Sequence, residues 1–453
     1  MPQAIDLSTI KNVYFAGIGG VSMSSLALIL KSEGKRVSGY DFKKSGVTAM
    51  LEEKGIPVHY SYGDVCLDGV DTVVYTAAIK QDDEVLVMAR NKNIRLITRA
   101  ELLGAITSKY THSVGVAGTH GKSTTTGMLA EIMLKAENDS TVLGGAVIPS
   151  LGSTYCIGGG ENVVFEACEY KNSYHSMYPT IKVILNVELD HVDFFGNLDN
   201  VIASFRQYID VPGLNGENIS IVNLDCGNAV ESAKGTASCV KYFSIEKEAD
   251  FYAKNIDLKT GFGSFDVYSN GEKLFDVTLS VPGIHNVSNA LAATGAALCC
   301  GVDISAIKAG LESFGGVKRR FEKVGTHPTG AVIIDDYAHH PDEITATLKS
   351  AKAVAKGDVI CVFQPHTYSR TKALLNDFAS SLSLADKVVL APIYAARETD
   401  TLGVSSDNVA SLIDGAVSLS SFEEIREHLL KTASKDDMIL TMGAGDINTL
   451  FAK

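Results

Sequence analysis

The chain has 453 residues, 45% of them hydrophobic and 21% charged, and a formal net charge of -13. A length of this order divides into roughly three ordinary domains, and the acidic balance argues against a general nucleic-acid binder, whose phosphate contacts need a basic face. A small anionic substrate stays open, because a local basic pocket can sit on an acidic surface.

The first residues, MPQAIDLSTIKNVYF, carry no basic stretch followed by an apolar core, and no run of about 18 apolar residues follows anywhere. The expectation is a cytoplasmic protein without a membrane partner. Residues 1–107 then alternate strand and helix signals. NVYFAGIGG is a short apolar run ending in glycines, SMSSLALILKSEG has helical spacing and stops at Gly34, RVSGYD ends in Asp41, and TVVYTAAI is a later strand. Such alternation implies a parallel sheet with helices on its faces.

GIGGVSMSS, directly after the first strand, supplies Gly17, Gly19 and Gly20. A dinucleotide fingerprint would place glycine at 22, where this chain has Ser22. Asp41 lies where a ribose-binding acid would sit. NAD and a nucleotide sugar are both candidates for this loop, and so is a turn that only packs helix on strand.

A second domain is expected over residues 108–316. HSVGVAG is a strand, followed by GTHGKSTTT and a helix. Glycines let backbone N–H groups point at phosphate oxygens, and the helix start adds partial positive charge. Lys122 would reach the terminal phosphates of a nucleotide and Ser123 a divalent metal ion. The usual phosphate loop has glycine at the position of Val116, yet Gly118 and Gly121 still allow a tight loop. NVVFEACEY and KVILNVELDH are further strands that end in Glu166 and Glu169, and in Asp190, His191 and Asp193. Ligands collect at the carboxyl ends of strands in open α/β sheets, so both groups are candidates for the metal, although a strand-end histidine is commonly structural. PGIHNVSNALAA places His285, Asn286 and Asn289 at a helix start, where the asparagines could cap the helix or meet an adenine edge.

A third domain is expected over residues 317–453. Arg319 and Arg320 are fork-shaped donors suited to phosphate or carboxylate. DDYAHHPDEI and QPHTYSR add Asp336, His339, His340, His366 and Arg370 at strand ends. The eight cysteines include no CxxC pair, which favours buried, reduced thiols over a zinc site or disulfide framework.

In this order the motifs resemble the Mur ligase family, its alanine-adding branch in particular. GIGGVSMS, YTAAI, TRAELL, AGTHGKSTTT, EACEY, NVELDHVDFF, GIHNVSNALAA, RRFE, DDYAHHPDEI, FQPHTYSR and MGAGDI recur across essentially the whole chain. The resemblance implies an α/β protein of three domains. These are a Rossmann-like nucleotide-sugar domain, a central P-loop ATPase-like domain and a C-terminal Rossmann-like domain.

It also implies a reaction. ATP phosphorylates the carboxylate of UDP-N-acetylmuramate, the amine of L-alanine attacks the acyl phosphate, and phosphate leaves. This makes a peptidoglycan precursor. Gly118, Thr119, Gly121, Lys122, Ser123 and Thr124 would hold the ATP phosphates. Ser123, Glu166 and His191 would hold Mg²⁺. His285, Asn286 and Asn289 would meet the adenine, Asp336 the ribose or phosphate side, and Arg319 and Arg320 phosphate. His339, His340 and Arg370 would lie near the acyl phosphate and the alanine. Gly17, Gly19, Gly20, Ser22, Met23, Ser24, Asp41, Thr76 and Ala77 would bind the nucleotide sugar. The implied state is a monomer or weak homodimer.

Two departures stand out. No lysine occurs in residues 192–233, where some members carry a carbamylated one, and Thr367 replaces an arginine found in some alanine-adding members. A recycling ligase that attaches a tripeptide to the same nucleotide sugar is the near alternative. An NAD-dependent oxidoreductase would leave the phosphate loop without a job, and a P-loop switch would leave the first loop without one.

Overall fold

A computed structural model describes residues 5–76, 79–396 and 398–451; the side chain of Asp193 and all of Ala77 lie outside the described residues. The chain forms two compact units. One holds Met1–Tyr252, Tyr268–Leu274 and Asn289–Gly310, and the other Ala253–Val267, Phe275–Ser288 and Leu311–Lys453.

The first unit begins with a parallel sheet of β1 (Asn12–Ala16), β2 (Arg36–Tyr40), β3 (Val58–His59), β4 (Thr72–Tyr75) and β5 (Arg95–Thr98) in the order β3-β2-β1-β4-β5. Chain order reverses beside β1, so the glycine turn after it opens into the crevice where such sheets bind ligands. The helix Val21–Ser32 follows and buries Met23, Leu26, Ile29 and Leu30. Gly34, at φ +79°, terminates it in the left-handed conformation that favours glycine.

The next sheet contains β6 (His112–Ala117), β7 (Thr141–Ile148), β8 (Ser153–Cys156), β9 (Asn162–Glu166), β10 (Ile181–Ile184), β11 (Ile219–Asn223), β12 (Cys239–Ser244), β13 (Phe251–Asp257), β14 (Phe262–Ser269) and β15 (Glu272–Pro282). Seven of these lie wholly in the first unit, in the order β12-β11-β10-β6-β9-β7-β8. β6 is flanked by β10 and β9, both parallel to it, so the segments that leave all three strands emerge at one edge. Strand β9 is apolar through its middle and β10 is buried throughout, Lys182 included, because both faces are covered. The helix Leu198–Asp210 shows the complementary pattern: Val201, Phe205, Tyr208 and Ile209 share one buried face. Burial of each such side chain contributes about 1.5–3 kcal/mol.

The second unit has a sheet of β16 (Glu322–Thr326), β17 (Val332–Asp336), β18 (Val359–Phe363), β19 (Lys387–Leu390), β20 (Val417–Ser418) and β21 (Met438–Met442), ordered β16-β17-β21-β18-β19-β20. Only β16 runs antiparallel to its neighbour. β21 lies between β17 and β18, so the DDYAHH and QPHTYSR segments leave the sheet on either side of it.

All eight cysteines are free. Burial of the thiols holds for Cys300 and Cys361 but not for Cys66 and Cys239, which are exposed. Cys66 lies between strands in a loop and Cys239 opens β12 at its first residue, where the sheet no longer covers it.

Candidate active site

The position where a glycine seemed to be missing belongs to the sheet. Val116 is fully buried within β6 and pairs with Val183 on one side and Glu166 on the other. The loop itself starts at Gly118. Gly118 has φ +147°, and a Cβ there would meet the Leu185 Cβ at 2.9 Å. Gly121 has φ +86° and caps the helix Lys122–Lys135, and a Cβ there would lie 2.8 Å from the Asn289 Oδ1. Both positions therefore require glycine for backbone and for space.

The segment after β10 grips this loop. Asn186 Oδ1 accepts from His120 N at 2.8 Å, and Thr119 Oγ1 accepts from Glu188 N at 3.0 Å. The amides at the start of the helix Lys122–Lys135 have no intrahelical acceptor, which makes this end an anion site. Ser123 and Thr124 are partly exposed there.

Lys122 lies folded over the loop. Its Nζ donates to the carbonyls of Gly118 and, at 3.1 Å, Thr119, and it sits 3.0 Å from Glu169 Oε2. Burial alone would push the ammonium down, but the Glu169 carboxylate outweighs it and raises the lysine above its ordinary range. Glu169 Oε1 is also 3.8 Å from the His191 Nε2. His191 holds a left-handed backbone at φ +50°, and its ring packs on Tyr170 at 4.6 Å between centroids. Glu166 Oε1 accepts from Gly145 N at 2.5 Å. The fold thus brings Lys122, Glu166 and His191 to one edge, with Glu169 among them. Glu169, a strand-end candidate for the metal by its place three residues after Glu166 in EACEY, instead pairs with Lys122 in this structure.

The hydroxyl of Ser123 and the carboxylates of Glu166 and Glu169 are hard oxygen donors, so this edge fits a hard divalent cation such as Mg²⁺. The imidazole of His191 is the softer member of the set.

The first glycine loop is tied to β2. Gly17 N and Ile18 N donate to the Tyr40 carbonyl, and Asp41 Oδ2 accepts from Gly19 N at 2.8 Å. A Cβ on Gly19 would approach that same oxygen to 2.8 Å. Two expected nucleotide-sugar contacts face elsewhere. Met23 is 1% exposed and packs in the hydrophobic core, and the Ser24 hydroxyl turns back to the Val21 carbonyl. Helical periodicity explains both: Ser22 and, one turn on, Ser25 and Leu26 line the neighbouring cavity, and Met23 and Ser24 do not. Thr76 follows β4 directly.

The asparagines near the next helix, Ile284–Cys299, divide between the units, Asn289 with the first and His285 and Asn286 with the second. Asn286 does not cap the helix. It lies in the first turn, and its Nδ2 donates back to the Pro282 carbonyl at 2.7 Å. His285 is exposed.

In the second unit Arg319 is a clamp. Its Nε lies 3.2 Å from Asp335 Oδ2, and its Nη2 donates to the Gly443 carbonyl at 2.7 Å, joining the arginine turn to β17 and to the segment after β21. Arg320 forms a longer pair with Glu343 at 3.6 Å, and both guanidinium groups lie over the Tyr337 ring. Asp336 is buried, and its two oxygens accept from Phe321 N and Ala338 N at 2.7 and 2.8 Å. Burial pushes its carboxyl up to about 6, with Arg320 opposing. His339 Nδ1 donates to the Tyr337 carbonyl at 3.0 Å, and burial pushes the imidazole down to about 4. His340 caps the helix Pro341–Val354. His366 stacks on Tyr394, its ring 6.1 Å from that of His339. Arg370 lies in the helix Tyr368–Ala373, which is capped by Thr367.

Three family descriptions match the chain in order: the Mur ligase family catalytic domain over residues 12–111, the Mur ligase middle domain over 116–297, and the Mur ligase glutamate ligase domain over 319–445. The UDP-N-acetylmuramate–L-alanine ligase of Lachnospira eligens is 46% identical over 98% of this chain and 97% of its own length. That of Caldicellulosiruptor saccharolyticus is 44% identical over 96% of each. The crystal structure of the UDP-N-acetylmuramate-alanine ligase of Thermotoga maritima superposes with a TM-score of 0.81 at 28% identity, covering 97% of both chains. A murein peptide ligase from Psychrobacter arcticus gives 0.71 at 26% identity, again over 97% of both. With the phosphate loop, the carboxylates beside it and the length of these matches in agreement, the chain belongs to the Mur ligase family.

Proposed function

We propose that the protein joins L-alanine to the carboxylate of UDP-N-acetylmuramate, with ATP converted to ADP and phosphate. The observation that carries this reading is the phosphate loop gripped by the segment after β10, with Lys122, Glu166, Glu169 and His191 at one edge of the first unit. The names of the curated relatives supply the substrates, because identities of 44–46% extend over nearly the whole chain. The curated relatives at 44–46% identity are alanine ligases, and the alanine ligase structure superposes better than the murein peptide ligase, with TM-scores of 0.81 and 0.71, which favours the alanine reading over the tripeptide one.

The chemistry suits the residues. A free carboxylate is a poor electrophile, and phosphorylation gives it a leaving group. Mg²⁺, when bound by Ser123, Glu166 and His191, supplies charge neutralisation between the phosphoryl oxygens and the substrate carboxylate. The loop amides and Lys122 bind and orient the transferring phosphoryl group. For that, Lys122 exchanges Glu169 for phosphate oxygens. In the second unit, His339 stays neutral near pH 7 and, with its Nδ1 proton given to the Tyr337 carbonyl, presents the Nε2 lone pair without adding charge. Arg320 and Arg370 are the cations offered to the acyl phosphate and the amino acid. Arg319 acts through position, by holding the turn that carries Arg320.

The working division is a nucleotide-sugar domain over residues 1–107, an ATP domain over 108–316 and a C-terminal domain over 317–453. Among the described residues no helix is long and apolar enough to cross a membrane, and the proposed substrates place the reaction in the cytoplasm.

The test is phosphate release from ATP with Mg²⁺, UDP-N-acetylmuramate and a panel of amino acids and a tripeptide. Release that needs the nucleotide sugar and is fastest with L-alanine is expected. Preference for the tripeptide, or release indifferent to the sugar, would overturn the reading.

A further inference from the structure

Arg99 occupies a place that folding alone disfavours. It is the first residue of the helix Arg99–Thr107, at the positive end of the dipole, where a cation is repelled. It is half-buried, and burial weakens its hold on a proton. A guanidinium carries five donors, yet one hydrogen bond is made, from Nη1 to the Ser22 Oγ at 3.1 Å, and among the described residues no carboxylate pairs with it. The charge faces a cavity of about 230 Å³ within the first unit, lined by Ser22, Arg99, Leu103, Gly145, Glu166 and Cys168. Glu166 has an oxygen engaged by Gly145 N.

Ser22 stands where the dinucleotide fingerprint would have glycine, in the first turn of the helix Val21–Ser32, whose N-cap Gly20 provides no side-chain acceptor. A phosphate group at that helix start would be next to the residue that anchors Arg99. We infer that Arg99 is the cationic contact for the diphosphate of the nucleotide sugar, and that Ser22 replaces glycine in order to hold Arg99 there. This rests on the function proposed above and adds a binding residue to it. A guanidinium can grip two oxygens of a diphosphate in a forked arrangement, and the cavity runs from that contact to Glu166, one of the proposed metal ligands, as a route for the sugar-borne carboxylate.

The experiment compares wild type, Arg99→Met, Arg99→Lys and Ser22→Ala by calorimetric titration with UDP, UMP and ATP, and by steady-state kinetics with UDP-N-acetylmuramate. Arg99→Met is expected to weaken UDP binding and raise the KM for the nucleotide sugar by about tenfold or more, the scale of a charge-assisted contact. UMP binding should fall less, and Arg99→Lys should recover part of the loss. Ser22→Ala should weaken UDP in the same direction by a smaller factor. Unchanged ATP affinity shows that each variant is folded. Wild-type affinity of Arg99→Met for UDP would overturn the inference. So would normal UDP binding combined with a raised KM for the full substrate, which would move the contact to the sugar's carboxylate. Failure of the wild type itself to bind UDP would instead overturn the functional reading.

Discussion

Lys122 and Glu169 are each other's counter-ion, 3.0 Å apart, with side-chain exposures of 16% and 4%. Neither charge has much water to fall back on, so the pair must be exchanged as a unit when phosphate arrives. Lys122→Ala is expected to lower turnover by about a thousandfold, the scale of losing a preorganised charge in phosphoryl transfer. It should also destabilise the fold by about 3–5 kcal/mol, because Glu169 is left buried without a cation. The double variant Lys122→Ala/Glu169→Gln separates the two effects. It should regain most of the stability in a denaturant titration and none of the phosphate release.

Val116→Gly tests whether the phosphate loop really starts at Gly118. Restoring the glycine of the common motif should not improve ATP binding. It should cost about 2–4 kcal/mol in stability, through the lost packing of a buried valine and the added backbone freedom. Tighter ATP binding in this variant would show that position 116 belongs to the loop after all.

Asp41 acts on the first loop through Gly19 N, 2.8 Å away. Asp41→Ala should raise the KM for the nucleotide sugar by roughly tenfold, by loosening that loop. The KM for ATP should hold, since the ATP loop follows a different strand.

His339 gives a pH prediction. Its ordinary value of 6.5 falls to about 4 in the folded chain, chiefly through burial. Between those values the unfolded state binds the extra proton, so the native state loses stability as pH drops from 6.5 towards 4. The full effect is roughly 3 kcal/mol. His339→Gln should flatten that part of the profile, measured as urea midpoints at pH 7 and pH 4.5. An unchanged difference between the two midpoints would show that another group dominates.

The strand ends and the loops leaving them could be read from the sequence because apolar runs closed by glycine or acid have few other structural solutions. The phosphate loop, Glu166, His191 and the DDYAHH segment all lie at such ends. What stayed hidden depends on which way a side chain turns. Met23 and Ser24 sit in a binding motif yet turn inward, since the helix presents Ser22, Ser25 and Leu26 to the cavity. Arg99 opens an ordinary-looking capped helix, and nothing in TRAELL says that its side chain reaches Ser22 beside a cavity. Asp336 carries the look of a ligand contact but spends both oxygens on Phe321 N and Ala338 N, a long-range choice invisible in spacing. The strands β13–β15 were also missed, because half-exposed alternation over polar residues gives a weak signal.

The two glycines of the ATP loop press against residues far along the chain, Gly118 against Leu185 and Gly121 against Asn289. In evolution these positions are bound in pairs. A relative that acquires alanine at 121 must shorten or move the side chain at 289, and one with alanine at 118 must give ground at 185. Substitutions at these sites should therefore be rare, and an alanine introduced singly at 121 should be rescued only in part by a second change at 289, because its left-handed backbone at φ +86° stays strained.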